Sequence, residues 1–185
     1  MPTALTELRV ARPTDIAPLR ALIAASVRGL RTGYYTEAQA ESALRHVFGV
    51  DSQLIADGTY FVIQSGETLV AAGGWSKRRT LFGGDQAKEA SDPLLDPARE
   101  PARIRAFFVH PEWARQGLAR RLFEACQKAA HAAGFSTFEL MATLPGEPLY
   151  SALGFAAHER VDVPLPDGLT LPCVRMTRLV GPVPA

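Results

Sequence analysis

The chain has 185 residues, 47% hydrophobic and 21% charged, which fits one globular domain large enough to bury a core. Its formal net charge of +1 gives no charge excess for nucleic acid or an anionic membrane, so neither is expected as a partner. Cys126 and Cys173 lie far apart, with no Cys-x-x-Cys pair and no histidines at metal spacing, so we expect reduced thiols in the cytoplasm and no metal site. We also expect no signal peptide and no membrane-spanning helix.

The first half of the chain has the pattern of an α/β protein. In chain order, the sequence predicts a strand at 8–12, helices at about 14–28 and 36–49, and hairpin strands at 60–63 and 69–72. A polar turn separates the two hairpin strands. Residues 81–101 contain Gly83-Gly84 and three prolines, and they predict a long irregular loop.

The second half alternates strands and helices. The pattern predicts a strand at 103–109, a helix at 117–133, a strand at 137–143, a short helix at 149–153, and strands near 155–161 and 171–179. The helix at 117–133 is the most amphipathic, since Leu118, Leu122 and Cys126 share one face, and Gly134 ends it. The element order predicts a single α/β domain over 1–185, with a mixed central β-sheet flanked by helices.

A glycine turn joins the strand that ends at Val109 to this amphipathic helix. The first amides of a helix have no partner within the helix and lie at the positive end of its dipole, so they can bind phosphate. Gly117 leaves space for a pyrophosphate to approach the backbone, and Arg115, Arg120 and Arg121 add positive charge. The glycine-rich loops typical of ATP and dinucleotide sites do not occur, which excludes those readings.

Two segments resemble the GNAT superfamily of acetyl-CoA-dependent N-acetyltransferases. After Val109-His110-Pro111, the run Ala114-Arg115-Gln116-Gly117-Leu118-Ala119 resembles the family's [Arg/Gln]-x-x-Gly-x-[Gly/Ala] loop, with Ala114 where the family usually has Arg or Gln. The run Leu149-Tyr150-Ser151-Ala152-Leu153-Gly154-Phe155 resembles the family's [Phe/Leu]-Tyr-x-x-x-Gly-Phe signature. The order and distance of the two segments make the resemblance specific, and it implies the GNAT fold with acetyl-CoA as co-substrate.

The resemblance implies a place for each part of acetyl-CoA. Backbone groups of Phe107 and Val109 would pair with the pantetheine arm. The pyrophosphate would lie on the amides of Arg115, Gln116, Gly117, Leu118, Ala119 and Arg120. Tyr150 would lie near the CoA sulfur and protonate or polarise the departing thiolate, while the amine attacks the thioester directly.

The general base stays open. Many relatives have a Glu six residues before the strand-ending valine, where this chain has Arg103, and an arginine cannot act as a base near neutral pH. Either Glu100, His110, Glu139 or a water chain takes the proton, or the amine arrives already neutral.

The acceptor side has three candidate residues. Period-two spacing places Arg103 and Arg105 on one strand face with Phe107 and Val109. If that face borders the acceptor cleft, the two arginines are expected to bind a carboxylate or phosphate of the acceptor. Tyr34 is the third candidate, because the pair Tyr34-Tyr35 lies in the loop between the first two helices, where relatives place variable substrate contacts. A plain aromatic anchor for the loop is the alternative for this pair.

These residues together predict an enzyme that transfers an acetyl group from acetyl-CoA to a primary amine, with a small-molecule acceptor favoured. An acetyltransferase acting on a protein N-terminus or lysine stays open. The missing Glu at Arg103 also keeps open a non-catalytic acyl-CoA-binding or sensing module, and a plain interaction domain is a further alternative. We expect a monomer or a homodimer.

Overall fold

A seven-stranded mixed sheet runs through the molecule in the order β1-β2-β3-β4-β5-β7-β6. The strands are β1 (Thr6–Val10), β2 (Tyr60–Ser65), β3 (Thr68–Ser76), β4 (Ala102–Val109), β5 (Thr137–Thr143), β6 (Ala156–Pro164) and β7 (Thr170–Leu179). The helices are α1 (Ile16–Leu30), α2 (Glu37–His46), α3 (Ser52–Ala56), α4 (Leu118–Ala132) and α5 (Glu147–Ala152). The computed structural model describes residues 5–179, so the two ends of the predicted domain, 1–4 and 180–185, lie outside the described residues.

The predicted fold class is confirmed, with one helix missed. Short α3 is absent from the prediction, although Asp51 precedes it as an N-cap and accepts from the Gln53 amide at 3.0 Å. The predicted second helix ends earlier than expected, because α2 stops at His46. Residues 81–101 form the expected irregular loop, with a single 3₁₀ turn at Asp85–Ala87.

The two faces of the sheet carry separate cores. One core includes Phe123 and Cys126 of α4 packed on Phe138 and Phe155. The other packs α1 on residues of β2 and β3 such as Val62. Within residues 5–179, no helix combines the length and the apolarity that crossing a bilayer requires.

Strand β4 contains a bulge at its centre. Ala72 pairs with Phe108 and Gly74 with Arg105, so β4 has one more residue than β3 between these two pairs. The extra residue is Ala106, whose φ of 53° is unusual for a residue with a side chain. The bulge therefore changes which way the second half of β4 presents its side chains.

Two neighbours hold this bulge. The hydroxyl of Tyr60, which is 1% exposed, donates a hydrogen bond of 2.9 Å to the carbonyl of Ala106. The ring of Phe107 lies against Gly73, where a Cβ would come within 2.4 Å of a ring carbon. Glycine at that position therefore makes room for the aromatic ring.

The prediction that Arg103, Arg105, Phe107 and Val109 share one strand face is wrong. Arg105 contacts Asp51, at the start of α3. Phe107 and Val109 instead pack with the α4 residues of the opposite face. Period two holds only for a regular strand, and the extra residue at Ala106 reverses the alternation.

The bulge also lies where β4 leaves β5. In the described part of the chain, these parallel strands pair only at Ala102 with Phe138 and at Arg103 with Glu139. Strand β5 continues to Thr143, paired with β7. The second half of β4 therefore has no strand partner on this side, and an opening forms between the two strands.

We predict that Tyr60→Phe lowers the free energy of unfolding by about 1–2 kcal/mol, because the Ala106 carbonyl loses its buried donor. Urea denaturation measures the change. Tyr34→Phe is the matched control, since the Tyr34 side chain is exposed and its loss should change stability by less than about 0.5 kcal/mol. Equal stability losses in the two variants would contradict a role for Tyr60 in holding the bulge.

Candidate active site

The turn before α4 presents a row of backbone amides without acceptors. Arg115 has a φ of 61° and Gly117 a φ of 79°, so the backbone turns back twice before the helix begins at Leu118. Within residues 5–179, none of the six amides from Arg115 to Arg120 donates to a backbone carbonyl. Left-handed residues followed by a helix N-terminus are typical of concave anion sites.

The side chains around this turn divide into two groups. Leu118 is buried and fixes the start of α4 in the core. Arg115 and Arg120 are exposed beside the amides. Arg121 is directed elsewhere, because its guanidinium donates to the Thr6 hydroxyl at 2.6 Å and so ties α4 to β1.

A cavity of about 220 Å³ fills the opening between β4 and β5. Five residues predicted from the sequence line it: Arg105, Phe107, Val109, Ala119 and Tyr150. Ala119 belongs to the first turn of α4, so the cavity begins beside the row of amides. It extends past Tyr150 to Phe48 and the loop residues 81–84 on the other face of the sheet.

Tyr150 offers this cavity a hydroxyl without a partner in the described part of the chain. Its side chain is 8% exposed and lies between Phe107 and Phe155, with ring centroids 6.1 and 5.8 Å away. Burial raises the pKa of Tyr150 above its ordinary value near 10. The phenol therefore stays protonated at neutral pH and can donate a proton or a hydrogen bond.

A protein-family model matches part of this sequence, and several solved structures match its fold. Residues 95–165 match the model of the acetyltransferase (GNAT) domain. This part of the chain is thus similar to the GNAT acetyltransferases. No curated protein matches it significantly.

Several solved GNAT structures share the fold over nearly the whole chain. A GCN5-related N-acetyltransferase from Rhodopseudomonas palustris is 21% identical, with a TM-score of 0.70 and coverage of 97% of this chain and 98% of its own. The PaiA N-acetyltransferase of Thermoplasma acidophilum, in complex with coenzyme A, is 14% identical, with a TM-score of 0.65 and coverage of 95% and 99%. YncA of Salmonella typhimurium, with its cofactor acetyl-CoA, is 16% identical, with a TM-score of 0.61 and coverage of 99% and 98%. At these identities the likeness shows the fold.

Within the matched segment, the amide of Val109 already has a hydrogen-bond partner. It donates to the Ser26 hydroxyl of α1 at 3.2 Å, and Ser26 is 5% exposed. The sequence does not indicate this contact, because Ser26 lies in the middle of an amphipathic helix. The alternation of strand amides leaves the Phe107 amide facing the opening.

Arg105 lines the cavity but is held by other groups. Its Nη2 donates to Asp51 Oδ2 at 2.8 Å and to the Gly83 carbonyl at 2.6 Å, and its Nη1 donates to the Thr80 carbonyl at 3.1 Å. Arg105 and Asp51 are 2% and 1% exposed. Burial lowers the pKa of Arg105, and the Asp51 charge opposes that effect. The guanidinium thus fixes the loop beside the cavity and is not free to bind an anionic acceptor.

Arg103 lies away from the cavity. Its Nη1 donates to Glu139 Oε2 at 2.8 Å, and the other carboxylate oxygen of Glu139 accepts from Arg175 at 3.0 Å. The expected substrate contact of Arg103 therefore does not fit its position. Glu139, Glu100 and His110, the candidate bases, also lie outside the cavity lining.

The aromatic pair in the loop before α2 divides differently from the prediction. Tyr34 is 47% exposed and does not line the cavity. Tyr35 does line it, and its hydroxyl donates to the Pro172 carbonyl at 2.6 Å and accepts from the Leu144 amide at 2.8 Å. Both residues have the same sequence signal, so the pattern could not separate them.

The described residues offer no metal centre. Over 5–179, no three His, Cys, Asp or Glu side chains are placed to hold a metal ion. Cys126 and Cys173 are buried free thiols.

We predict that Gly117→Ala weakens CoA binding by about tenfold or more, because an alanine disfavours the left-handed backbone that aims the amides at one point. Isothermal titration with CoA measures the dissociation constant.

Gly66→Ala is the control for this variant. Gly66 has a φ of 59° in the β2–β3 turn, and a Cβ at either glycine meets no atom within 4 Å. Both variants therefore have a similar backbone cost, but only Gly117→Ala should change the CoA affinity. An unchanged affinity for CoA in Gly117→Ala would show that the turn at Gly117 does not bind the cofactor.

Proposed function

We propose that this GNAT domain transfers an acetyl group from acetyl-CoA to the primary amine of a small molecule. The observation that carries the proposal is one cavity that connects the unpartnered amides before α4 to the free hydroxyl of Tyr150. An acetyltransferase needs an anion site at one end of such a cavity and a proton donor at the other, because the pyrophosphate and the thioester lie at opposite ends of acetyl-CoA.

At the end of the cavity next to α4, each element has a proposed role in binding acetyl-CoA. The amides from Arg115 to Arg120 would hold the pyrophosphate, with the exposed guanidiniums of Arg115 and Arg120 beside it. The pantetheine arm would run along β4 like an added strand, bonding the free Phe107 amide. At Val109 it would replace or share the Ser26 contact.

The proposed bond and proton transfers take place at the thioester end of the cavity, beside Tyr150. The amine nitrogen attacks the thioester carbonyl carbon, and the carbon–sulfur bond breaks. The departing thiolate then either takes a proton from Tyr150 or accepts a hydrogen bond from it. Tyr150 regains a proton from solvent, and the amide product loses its extra proton to water. No Asp or Glu of residues 5–179 lines the cavity, which favours an amine that arrives already neutral.

The shape of the cavity favours a small acceptor over a protein. Its acceptor end is enclosed by the end of α1, by Phe48 after α2, and by loop residues 81–84. Gly84 donates to the Val47 carbonyl at 2.8 Å, so the loop closes against the α2 side. Free cysteines fit a cytoplasmic enzyme, and a monomer or homodimer remains our prediction.

We predict that Tyr150→Phe lowers kcat by about 100-fold while the dissociation constant for CoA stays within about threefold. Release of free CoA thiol from acetyl-CoA against an amine panel measures kcat. Tyr34→Phe, outside the cavity, should match the wild type. An unchanged kcat in Tyr150→Phe would show that Tyr150 does not act as the acid.

The same assay should give a defined pH profile. We expect kcat/KM to rise with pH up to about 10, because the neutral fraction of the amine grows. Tyr150 stays protonated over this range, since its pKa is raised. An alkaline decline below pH 9 that disappears in Tyr150→Phe would contradict this assignment.

A further inference from the structure

The acceptor end of the cavity is lined mainly by apolar side chains. They come from α1, from the segment after α2 and from the loop before β4: Val27, Leu30, Val47, Phe48, Leu81 and Phe82. Phe48 packs edge-on against Phe108 of β4, with ring centroids 6.1 Å apart. An apolar group buried here leaves water in proportion to its area, so this end favours an acceptor with an apolar body.

The charges of the cavity have one sign. Its charged lining residues, over the described part of the chain, are Arg31 and Arg105. Arg105 pairs with Asp51 at 2.8 Å and donates to the backbone carbonyls of Thr80 and Gly83. A polycation would meet no carboxylate here and would leave its charges unpaired, which disfavours it strongly.

Arg31 is the cation available to a ligand. It follows the last residue of α1, and 29% of its side chain is exposed. Its ionic partner is Glu37, at 3.9 Å, and the Glu37 side chain is 79% exposed. A contact this long between exposed groups is weak, so a carboxylate that binds in the cavity can replace it.

We propose that the acceptor is an amine with an apolar body and a carboxylate, which is the chemistry of a hydrophobic amino acid. The proposal rests on the proposed function and specifies its substrate class. The apolar body lies between α1 and the 81–84 loop, the carboxylate pairs with Arg31, and the amine faces the thioester beside Tyr150. The sequence predicts that Arg103 and Arg105 bind an anionic acceptor; in this proposal Arg31 binds its carboxylate instead.

The test compares four acceptors in the wild type and in three variants. L-phenylalanine has the apolar body and the carboxylate, phenylethylamine lacks the carboxylate, glycine lacks the apolar body, and spermidine is a polycation. The variants are Arg31→Gln, Arg31→Lys and Arg28→Gln. Arg28 is the matched control, since it lies on the same helix and pairs with Glu41 at 2.6 Å outside the cavity.

Two readouts separate binding from turnover. One is kcat/KM from release of CoA thiol, and the other is the rise in melting temperature that each amine causes in the presence of CoA. We expect phenylalanine to exceed glycine and spermidine by about tenfold or more in kcat/KM. Arg31→Gln should lower the value for phenylalanine by about tenfold and leave phenylethylamine within about twofold. Arg31→Lys should restore most of the loss, and Arg28→Gln should change neither acceptor.

The outcomes distinguish this inference from the proposed function. Preference for spermidine, or equal losses for phenylalanine and phenylethylamine in Arg31→Gln, would overturn the inference while acetyl transfer stands. Absence of thiol release with every amine, while phenylalanine still raises the melting temperature through Arg31, would overturn the proposed function and support the binding inference. Absence of any phenylalanine effect in either readout, in a protein that binds CoA, would overturn the inference.

Discussion

The bulge at Ala106 is the constraint on which the site depends. One extra residue lies in β4 shortly after its pairing with β5 stops at Arg103, and the opening beside it reaches both faces of the sheet. Regular parallel pairing along the rest of β4 would fill the place where the cavity lies. The Tyr60 hydroxyl holds the bulge carbonyl from one side, and Gly73 makes room for the Phe107 ring. Strand geometry thus opens a cavity in the sheet.

The two ends of the opening are built by different physics. At the α4 end, backbone amides and a helix N-terminus supply positive potential without needing a particular side chain at each position. At the acceptor end, a buried ion pair between Arg105 and Asp51 fixes the loop that carries Phe82. Removing Asp51 would leave the buried guanidinium of Arg105 without its carboxylate, so the loop and β4 depend on each other. The α4 end therefore depends mainly on backbone geometry, and the other end depends on particular side chains.

The sequence was informative where the signal is local. The amphipathic pattern of α4, the glycine turn at Gly117 and the segment around Tyr150 each depend on neighbouring residues, and the fold class followed from the order of the predicted elements. The two arginines were misplaced because a bulge has no periodic signature and reverses the side-chain alternation. Tyr34 was chosen over Tyr35 because their difference arises from Leu144 and Pro172, which lie far away in the chain. Ser26 and Arg31 were missed for the same reason, since only the tertiary fold brings α1 against β4.

A crystal structure of the chain with acetyl-CoA tests the central claim most directly. The account predicts the pantetheine arm in the opening between β4 and β5, bonded to the Phe107 backbone, with the pyrophosphate within hydrogen-bonding distance of the amides from Arg115 to Arg120. The thioester sulfur should lie beside the Tyr150 hydroxyl. Acetyl-CoA bound elsewhere, with β4 and β5 still parted and the opening empty, would contradict the account.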